Sequence, residues 1–162
     1  MVVERPSDAM MHGLHYVAGL VFYSVTPVAV VCESVPPFGL TKEMIMALSQ
    51  RHAYGLSLFI AASVTQYHIH AYLASLKPRI GPRIYILPKG GLFDAVLCPH
   101  YFLEILIYAA LFMAVGTWTT FAVLVWVVVD LSVSADESYK WYLARFGDKL
   151  NPEIARIIPF VF

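Results

Sequence analysis

Uncharged apolar blocks alternate with polar segments along the chain, and the block lengths predict helices that cross a membrane. The first block runs from Leu14 to Val31 without a charged residue. A helix of that length rises about 27 Å, which is enough for the hydrocarbon core of a bilayer. A second helical block runs from Thr41 to Leu76, and its spanning part is predicted at Ala53 to Tyr72.

The third apolar block, Ile105 to Val129, holds no charged residue and admits two interpretations. It is either one long tilted helix, about 37 Å in length, or part of a helical hairpin. The hairpin would use about Pro99 to Ala135 and turn near Gly116 and Thr117. We favour the hairpin, and the distribution of basic residues supports this choice.

Lys and Arg residues lie mostly in the segments between and after the apolar blocks. Basic residues concentrate on the cytosolic side of membrane proteins. With four spans, both termini and the loop from Lys77 to Pro99 are therefore predicted to be cytosolic. A single span in place of the hairpin would move the basic tail to the opposite side. The larger group is Arg5, Lys77, Arg79, Arg83, Lys89, Lys140, Arg145, Lys149 and Arg156, and the smaller one is Lys42 and Arg51.

Composition agrees with membrane helices. The 162 residues are 59% apolar and 14% charged, with a mean hydropathy of +0.68. Soluble domains carry about 25% charged residues. The predicted fold class is therefore all-α, a multi-spanning membrane helical bundle of about four transmembrane helices. The net charge of zero leaves no basic field for nucleic acid, so no nucleic-acid partner is expected.

The second helix carries polar side chains inside its apolar block, where an ionisable group costs about 2.5–3.5 kcal/mol. Gln66, His70 and Lys77 follow spacings of four and seven residues and share one stripe. One interpretation is a stripe that binds a ligand with phosphates and polar rings. The other is that Gln66 and His70 only form hydrogen bonds to neighbouring helices.

The third helix carries a second polar stripe. His100, Glu104 and Tyr108 recur at every fourth residue, and Pro99 suits the first turn of a helix. His100 would then lie at the helix N-terminus, where anions are favoured. We interpret this stripe as cofactor-binding, with Glu104 accepting hydrogen bonds. The alternative is an interfacial His and Tyr belt, with Glu104 bonded to a neighbouring helix.

Metal binding and covalent catalysis are not predicted. His68 and His70 are two residues apart and point to different sides of a helix. Cys32 and Cys98 are far apart in sequence, so neither a zinc site nor a disulfide framework is indicated. The sequence contains no GxSxG, GxGxxG or Walker pattern, so a nucleotide would not be held by a Rossmann or P-loop unit.

Four segments in the second half of the chain are similar in order and spacing to segments of one known family. They are Tyr85–Phe93 (YILPKGGLF), Cys98–Ile105 (CPHYFLEI), Lys140–Tyr142 (KWY) and Ile158–Phe162 (IPFVF). Together they resemble the C-terminal domain of the steroid 5α-reductases, and the Pro99-His100-Tyr101 triplet is most similar to the polyprenol reductase branch. The resemblance divides the chain into N-terminal membrane helices (residues 1–65) and an NADPH-binding membrane domain (residues 66–162).

The resemblance implies an NADPH-dependent oxidoreductase acting on CH–CH groups in the endoplasmic reticulum membrane. In the polyprenol branch, the α-isoprene double bond of a polyisoprenoid lipid, polyprenol or polyprenal, is reduced in dolichol biosynthesis for protein N-glycosylation. Hydride passes from the nicotinamide to the β-carbon, and the neighbouring carbon is protonated. The implied cofactor contacts are Gln66, His70, Lys77, Tyr85, His100, Glu104, Tyr108 and Tyr142. Among these, Lys77 would pair with a phosphate, and Glu104 and His100 would orient the nicotinamide.

The chain also departs from this seven-helix family, because it has room for only four helices. The acid and tyrosine that polarise the substrate oxygen come from earlier helices in the family, so no catalytic residue is assigned. Tyr139 stands where a His usually precedes the Trp-Tyr pair. Before the final Ile-Pro-Phe, the family commonly has basic residues. Asn151, Pro152 and Glu153 stand in their place here, and Arg156 is the basic residue that remains. The alternatives are a steroid 5α-reductase, a trans-2-enoyl-CoA reductase, or a truncated, catalytically inactive membrane fragment.

Overall fold

The described part of the chain is built from α-helices. The structure, a computed structural model, describes residues 13–34, 42, 49–76, 85–151 and 153–158. Its helices are α1 (Gly13–Ser34), α2 (Gln50–Ser75), α3 (Pro99–Val115) and α4 (Trp118–Phe146), with short 3₁₀ helices at Gly91–Asp94 and Gly147–Lys149. These ranges contain no strand and one isolated bridge, between Val96 and Ala155. The prediction of an all-α chain is confirmed for them.

The predicted hairpin is confirmed, and its turn lies at Gly116 and Thr117. Gly116 ends α3 in the left-handed conformation, with φ of 72°, and its N–H donates to the Phe112 carbonyl at 2.8 Å. Glycine adopts this conformation at no steric cost. Thr117 then caps α4, because its hydroxyl accepts the Thr120 N–H. One long tilted helix is therefore excluded.

The predicted end of the hairpin near Ala135 is wrong, because α4 continues without a break to Phe146. The prediction followed the rise in polarity after Ser134, but polarity alone does not end a helix. The next helix-ending residue is Gly147, where φ is 51°. Asp136 and Lys140, one turn apart, form an ion pair at 2.5 Å that suits a helix.

Only α4 among the described helices is both long and apolar enough to cross a membrane unaided. Gly19–Ser34 and α3 are apolar but shorter. Helix α2 has 26 residues but is less apolar. The predicted blocks Leu14–Val31 and Ala53–Tyr72 lie within α1 and α2, so their helical structure is confirmed, while their crossing of a bilayer stays a prediction.

Small residues allow α2 and α3 to approach closely, with their chains running in opposite directions. A Cβ atom on Gly55 would lie 2.9 Å from the Cβ of Ala114 and 3.0 Å from the Ala110 carbonyl. Further along the same pair, Gln66 contacts Glu104. Close contact through Gly and Ala is typical of packed membrane helices. It fixes the rotation of the two helices about their axes.

Helix α1 packs beside the hairpin. The Glu33 carboxylate, near the end of α1, accepts the Thr119 N–H at 3.3 Å in the first turn of α4. A negative charge is favourable at a helix N-terminus. The ring of Phe22 lies 6.2 Å from that of Tyr108 on α3, measured between centroids. Helix α1 therefore runs antiparallel to α4, and successive helices alternate in direction.

The end of the bundle opposite the hairpin turn holds a compact core. It joins the segment before α3, the second half of α4 and the C-terminal segment. Its buried members are Leu97, Cys98, Ala135, Leu150 and Ile157. Helix α2 passes continuously through residues 65 and 66, so the predicted boundary lies inside one helix, and the division into two regions stays a prediction.

Candidate cofactor site between α2 and α3

Two polar side chains meet across the interface of α2 and α3. The Gln66 Nε2 donates a hydrogen bond to Glu104 Oε2, and both side chains are half-buried. An ionised carboxylate has about four acceptor positions on its two oxygens. One bond from Gln66 therefore leaves acceptor capacity on Glu104 for a ligand that carries an amide or hydroxyl donor.

One turn nearer the helix ends, two histidines face each other across the same interface. The rings of His70 and His100 lie 5.6 Å apart between centroids, at 65°. The Nδ1 atom of His100 is buried and has no hydrogen-bond partner among the described residues. Leaving a buried polar atom unpaired costs about 1–3 kcal/mol. A ligand atom that bonds to Nδ1 would remove this cost.

The two predicted stripes therefore face each other across the interface of α2 and α3, while the spacing had placed each set of residues on one face of its own helix. We call the resulting group the polar seam, and it consists of Gln66, His70, His100, Glu104 and Tyr108. Tyr108 lies one turn beyond Glu104 and also contacts α1 through Phe22. Lys77 lies outside the described residues, so its predicted position at the end of the first stripe stays a prediction.

The remaining predicted residues are Tyr142, which lies near the C-terminal end of α4, and Tyr85, which packs against the same part of that helix. Tyr85 packs on Trp141, with ring centroids 5.0 Å apart, and the Arg145 guanidinium lies 5.7 Å from the Tyr85 ring centre. Tyr142 lines a cavity of about 400 Å³. Trp141, on which Tyr85 packs, also lines this cavity.

Apart from Tyr142, the residues that line the cavity were not predicted to belong to the site. Its lining consists of Tyr101, Ser134, Glu137, Ser138, Trp141 and Tyr142. Tyr101 connects it to the seam, since its ring lies 4.2 Å from the neighbouring His100 ring between centroids. The available signal was the spacing of Ser134, Ser138 and Trp141 at one helical face. It was missed because the hairpin was predicted to end near Ala135, so that no helical face was expected beyond that residue.

The loop before α3 is held against the end of α2 by one side chain. The Tyr72 hydroxyl donates to the Lys89 carbonyl at 3.0 Å and accepts the Lys89 N–H at 3.3 Å. The Tyr72 ring also packs on Phe93, with centroids 5.6 Å apart. Lys89 is exposed, so its charge is available at the same end of the bundle as His70 and His100.

Taken together, these features define a class of protein. It is a helical protein with at least one helix of membrane length and a polar interhelical site beside a cavity. The model of the family described as 3-oxo-5-alpha-steroid 4-dehydrogenase matches residues 15–162. The chain belongs to this family, which includes the steroid 5α-reductases identified by resemblance.

Several curated relatives carry one name. The chain is 34% identical to the polyprenal reductase of Saccharomyces cerevisiae, over 99% of this chain and 56% of the relative. It is 30% identical to polyprenal reductase 2 of Oryza sativa subsp. japonica, over 96% of this chain and 52% of the relative. It is 29% identical to the polyprenal reductase of Xenopus tropicalis, over 96% and 53%. The chain spans about half the length of the curated relatives it matches.

Proposed function

We propose that this protein is an NADPH-dependent reductase of the α-isoprene double bond of a polyisoprenoid lipid. The substrate would be polyprenal, and polyprenol is the alternative substrate to be tested. The product would serve dolichol biosynthesis for protein N-glycosylation. The name that these relatives share and the family match support this reaction. The observation that carries the cofactor assignment is the polar seam, with the unpaired His100 Nδ1 at one end of it.

The residues of the seam fit the nicotinamide end of NADPH, which carries a carboxamide and ribose hydroxyls. Glu104 would accept hydrogen bonds from the carboxamide or a ribose hydroxyl, and His100 Nδ1 would bond a ligand atom. Lys89 and Arg145 lie at the same end of the bundle and would favour the phosphates, together with Lys77. The bound cofactor would supply a hydride to the β-carbon, and a proton would complete the reduction at the α-carbon.

The chemistry of hydride addition favours the aldehyde over the alcohol. A carbonyl conjugated to the double bond makes the β-carbon electrophilic and takes up the negative charge that hydride brings. An allylic alcohol has no such acceptor group. The chain's own task is then to orient the nicotinamide along the seam and to keep water from it, which apolar packing of α2 on α3 supports.

We also propose four membrane spans in the endoplasmic reticulum membrane, with both termini in the cytosol. The alternating directions of α1 to α4 and the nine-to-two distribution of basic residues support this topology. The hairpin turn at Gly116 would then lie on the luminal side, together with Arg51. The seam's histidines and the loop with Lys89 would face the cytosol, where NADPH is available.

Membranes that contain the protein are expected to consume NADPH with polyprenal at a rate at least about 10-fold above that with polyprenol. The reason is the missing electron acceptor in the alcohol, which raises the barrier to hydride addition. The measurement is the amount of lipid reduced at its α-isoprene unit, separated by chromatography. The protein is assayed either purified in detergent or in microsomes.

The same assay separates the other candidates. A 3-oxo steroid with a conjugated double bond and a trans-2-enoyl-CoA are tested in parallel, because each family branch reduces a conjugated alkene. Preferential reduction of either one would replace the proposed substrate. NADPH binding without reduction of any of the four compounds would show a cofactor-binding membrane protein without this activity.

A further inference from the structure

The C-terminal segment runs alongside the residues that lead into α3. The Leu97 N–H donates to the Ala155 carbonyl at 2.8 Å, and the Cys98 N–H donates to the Arg156 carbonyl at 3.0 Å. Both donors precede Pro99, the first residue of α3. The backbone that carries His100 is therefore held by the tail through two hydrogen bonds.

An ion pair between side chains connects this tail to α4. Arg156 Nη1 lies 2.5 Å from Asp136 Oδ1, and the guanidinium lies 4.8 Å from the centre of the Tyr139 ring. The exposed fractions of the side chains are 32% for Arg156 and 27% for Asp136. Lys140 contacts the other oxygen of Asp136 at 2.5 Å, but 72% of its side chain is exposed.

The tail is also seated in the compact core. Ile157 is 1% exposed, and Cys98 in the same core is 2% exposed. Val96, which pairs with Ala155 of the tail, is 0% exposed. Asp136 follows Ala135 and Arg156 precedes Ile157, and both of these neighbours belong to the core, so the ion pair lies at its edge. Its loss would remove one of the contacts that hold the tail and loosen the tail locally, while the four helices stay packed through their own contacts.

We propose that Asp136 and Arg156 are positioning residues for the cofactor site. Their ion pair holds the tail against residues 96–98 and so fixes the N-terminus of α3, with the orientation of His100. This proposal rests on the proposed NADPH site, since it assigns the pair a role in that site's geometry. The described side-chain contacts of the pair are with each other and with Tyr139 and Lys140 on α4. Neither residue belongs to the predicted cofactor contacts.

The expected result is a change in cofactor affinity with little change in turnover. Arg156→Met and Asp136→Asn should each raise the KM for NADPH about 10-fold while leaving kcat within about twofold, because misplacement of a binding group weakens its contacts. Arg156→Lys keeps the charge and should restore most of the affinity. Lys140→Met is the matched control, because it removes a cation from the same carboxylate at an exposed position, and should change the KM less than about twofold.

A second readout does not depend on the cofactor. In a Cys32→Ser background, Cys98 is the sole thiol, and burial raises its pKa to about 11. Less than about 1% of this thiol is ionised at pH 8. Release of the tail should speed labelling by N-ethylmaleimide more than about 10-fold in Arg156→Met and Asp136→Asn, and leave Lys140→Met at the wild-type rate.

The two readouts separate the possible failures. Unchanged Cys98 labelling in both variants would overturn the proposal, since the pair would not hold the tail. Faster labelling with an unchanged KM for NADPH would also overturn it, because the tail would then have no role in positioning. If wild-type protein bound no NADPH, the proposed function would fall, and with it the role assigned to the pair, whatever the labelling showed.

Discussion

Replacing Glu104 by Gln is expected to weaken NADPH binding by about 10- to 100-fold while the helices remain folded. Hydrogen bonds to a charged group contribute about 1.5–3 kcal/mol, and each 1.4 kcal/mol is a factor of ten. Gln keeps the size of the side chain and its contact with Gln66, but it removes the charge and one acceptor oxygen. The measurement is a calorimetric titration of NADPH into purified protein.

The control is Glu153→Gln, which removes the same charge from an exposed position in the C-terminal segment. Its dissociation constant for NADPH should stay within about twofold of wild type, because exposed charges contribute little. If Glu104→Gln bound NADPH as tightly as the control, Glu104 would be a structural partner of Gln66 and not a cofactor contact.

Replacing Gly55 by Leu is expected to destabilise the protein by forcing α2 and α3 apart. Even one added carbon would lie 2.9 Å from Ala114 and 3.0 Å from the Ala110 carbonyl, and neither neighbour is flexible. Overpacking costs about 1–3 kcal/mol or more. For a chain of this size, that corresponds to a fall in Tm of about 3–10 °C. Thermal unfolding in detergent measures it.

Gly19→Leu is the matched control on α1. A Cβ atom at Gly19 meets nothing within 4 Å, so the new side chain can point away from the bundle without a clash. Its Tm should stay within about 2 °C of wild type. Equal shifts for the two variants would contradict the close approach of α2 and α3 at Gly55.

The helices were largely predictable because their signals are local. A glycine followed by threonine between two apolar runs marks a turn, and Gly116 and Thr117 form it. The end of α4 was mispredicted because a change from apolar to polar residues reports the environment of a helix, not its end. The residue in the sequence that indicates the end of α4 is Gly147. The helix ends there with a positive φ, which residues other than glycine rarely adopt.

The site was predictable in part for a similar reason. Helical spacing places Gln66 with His70, and His100 with Glu104, on single faces. It does not give the rotation of one helix against another, so the contact between Gln66 and Glu104 required the packing at Gly55. The cavity beside Tyr142 was missed because it needs the tertiary contact of Tyr101 on α3 with the second half of α4.

The most direct test of the polar seam is an NADPH titration of the double variant Gln66→Leu/Glu104→Leu. Replacing both members of a buried polar pair by apolar side chains of similar size is nearly neutral or stabilising. The protein should therefore stay folded, with an unchanged or higher Tm, and lose measurable NADPH binding. A folded double variant that binds NADPH with wild-type affinity would contradict the account, because the pair would then serve helix packing alone.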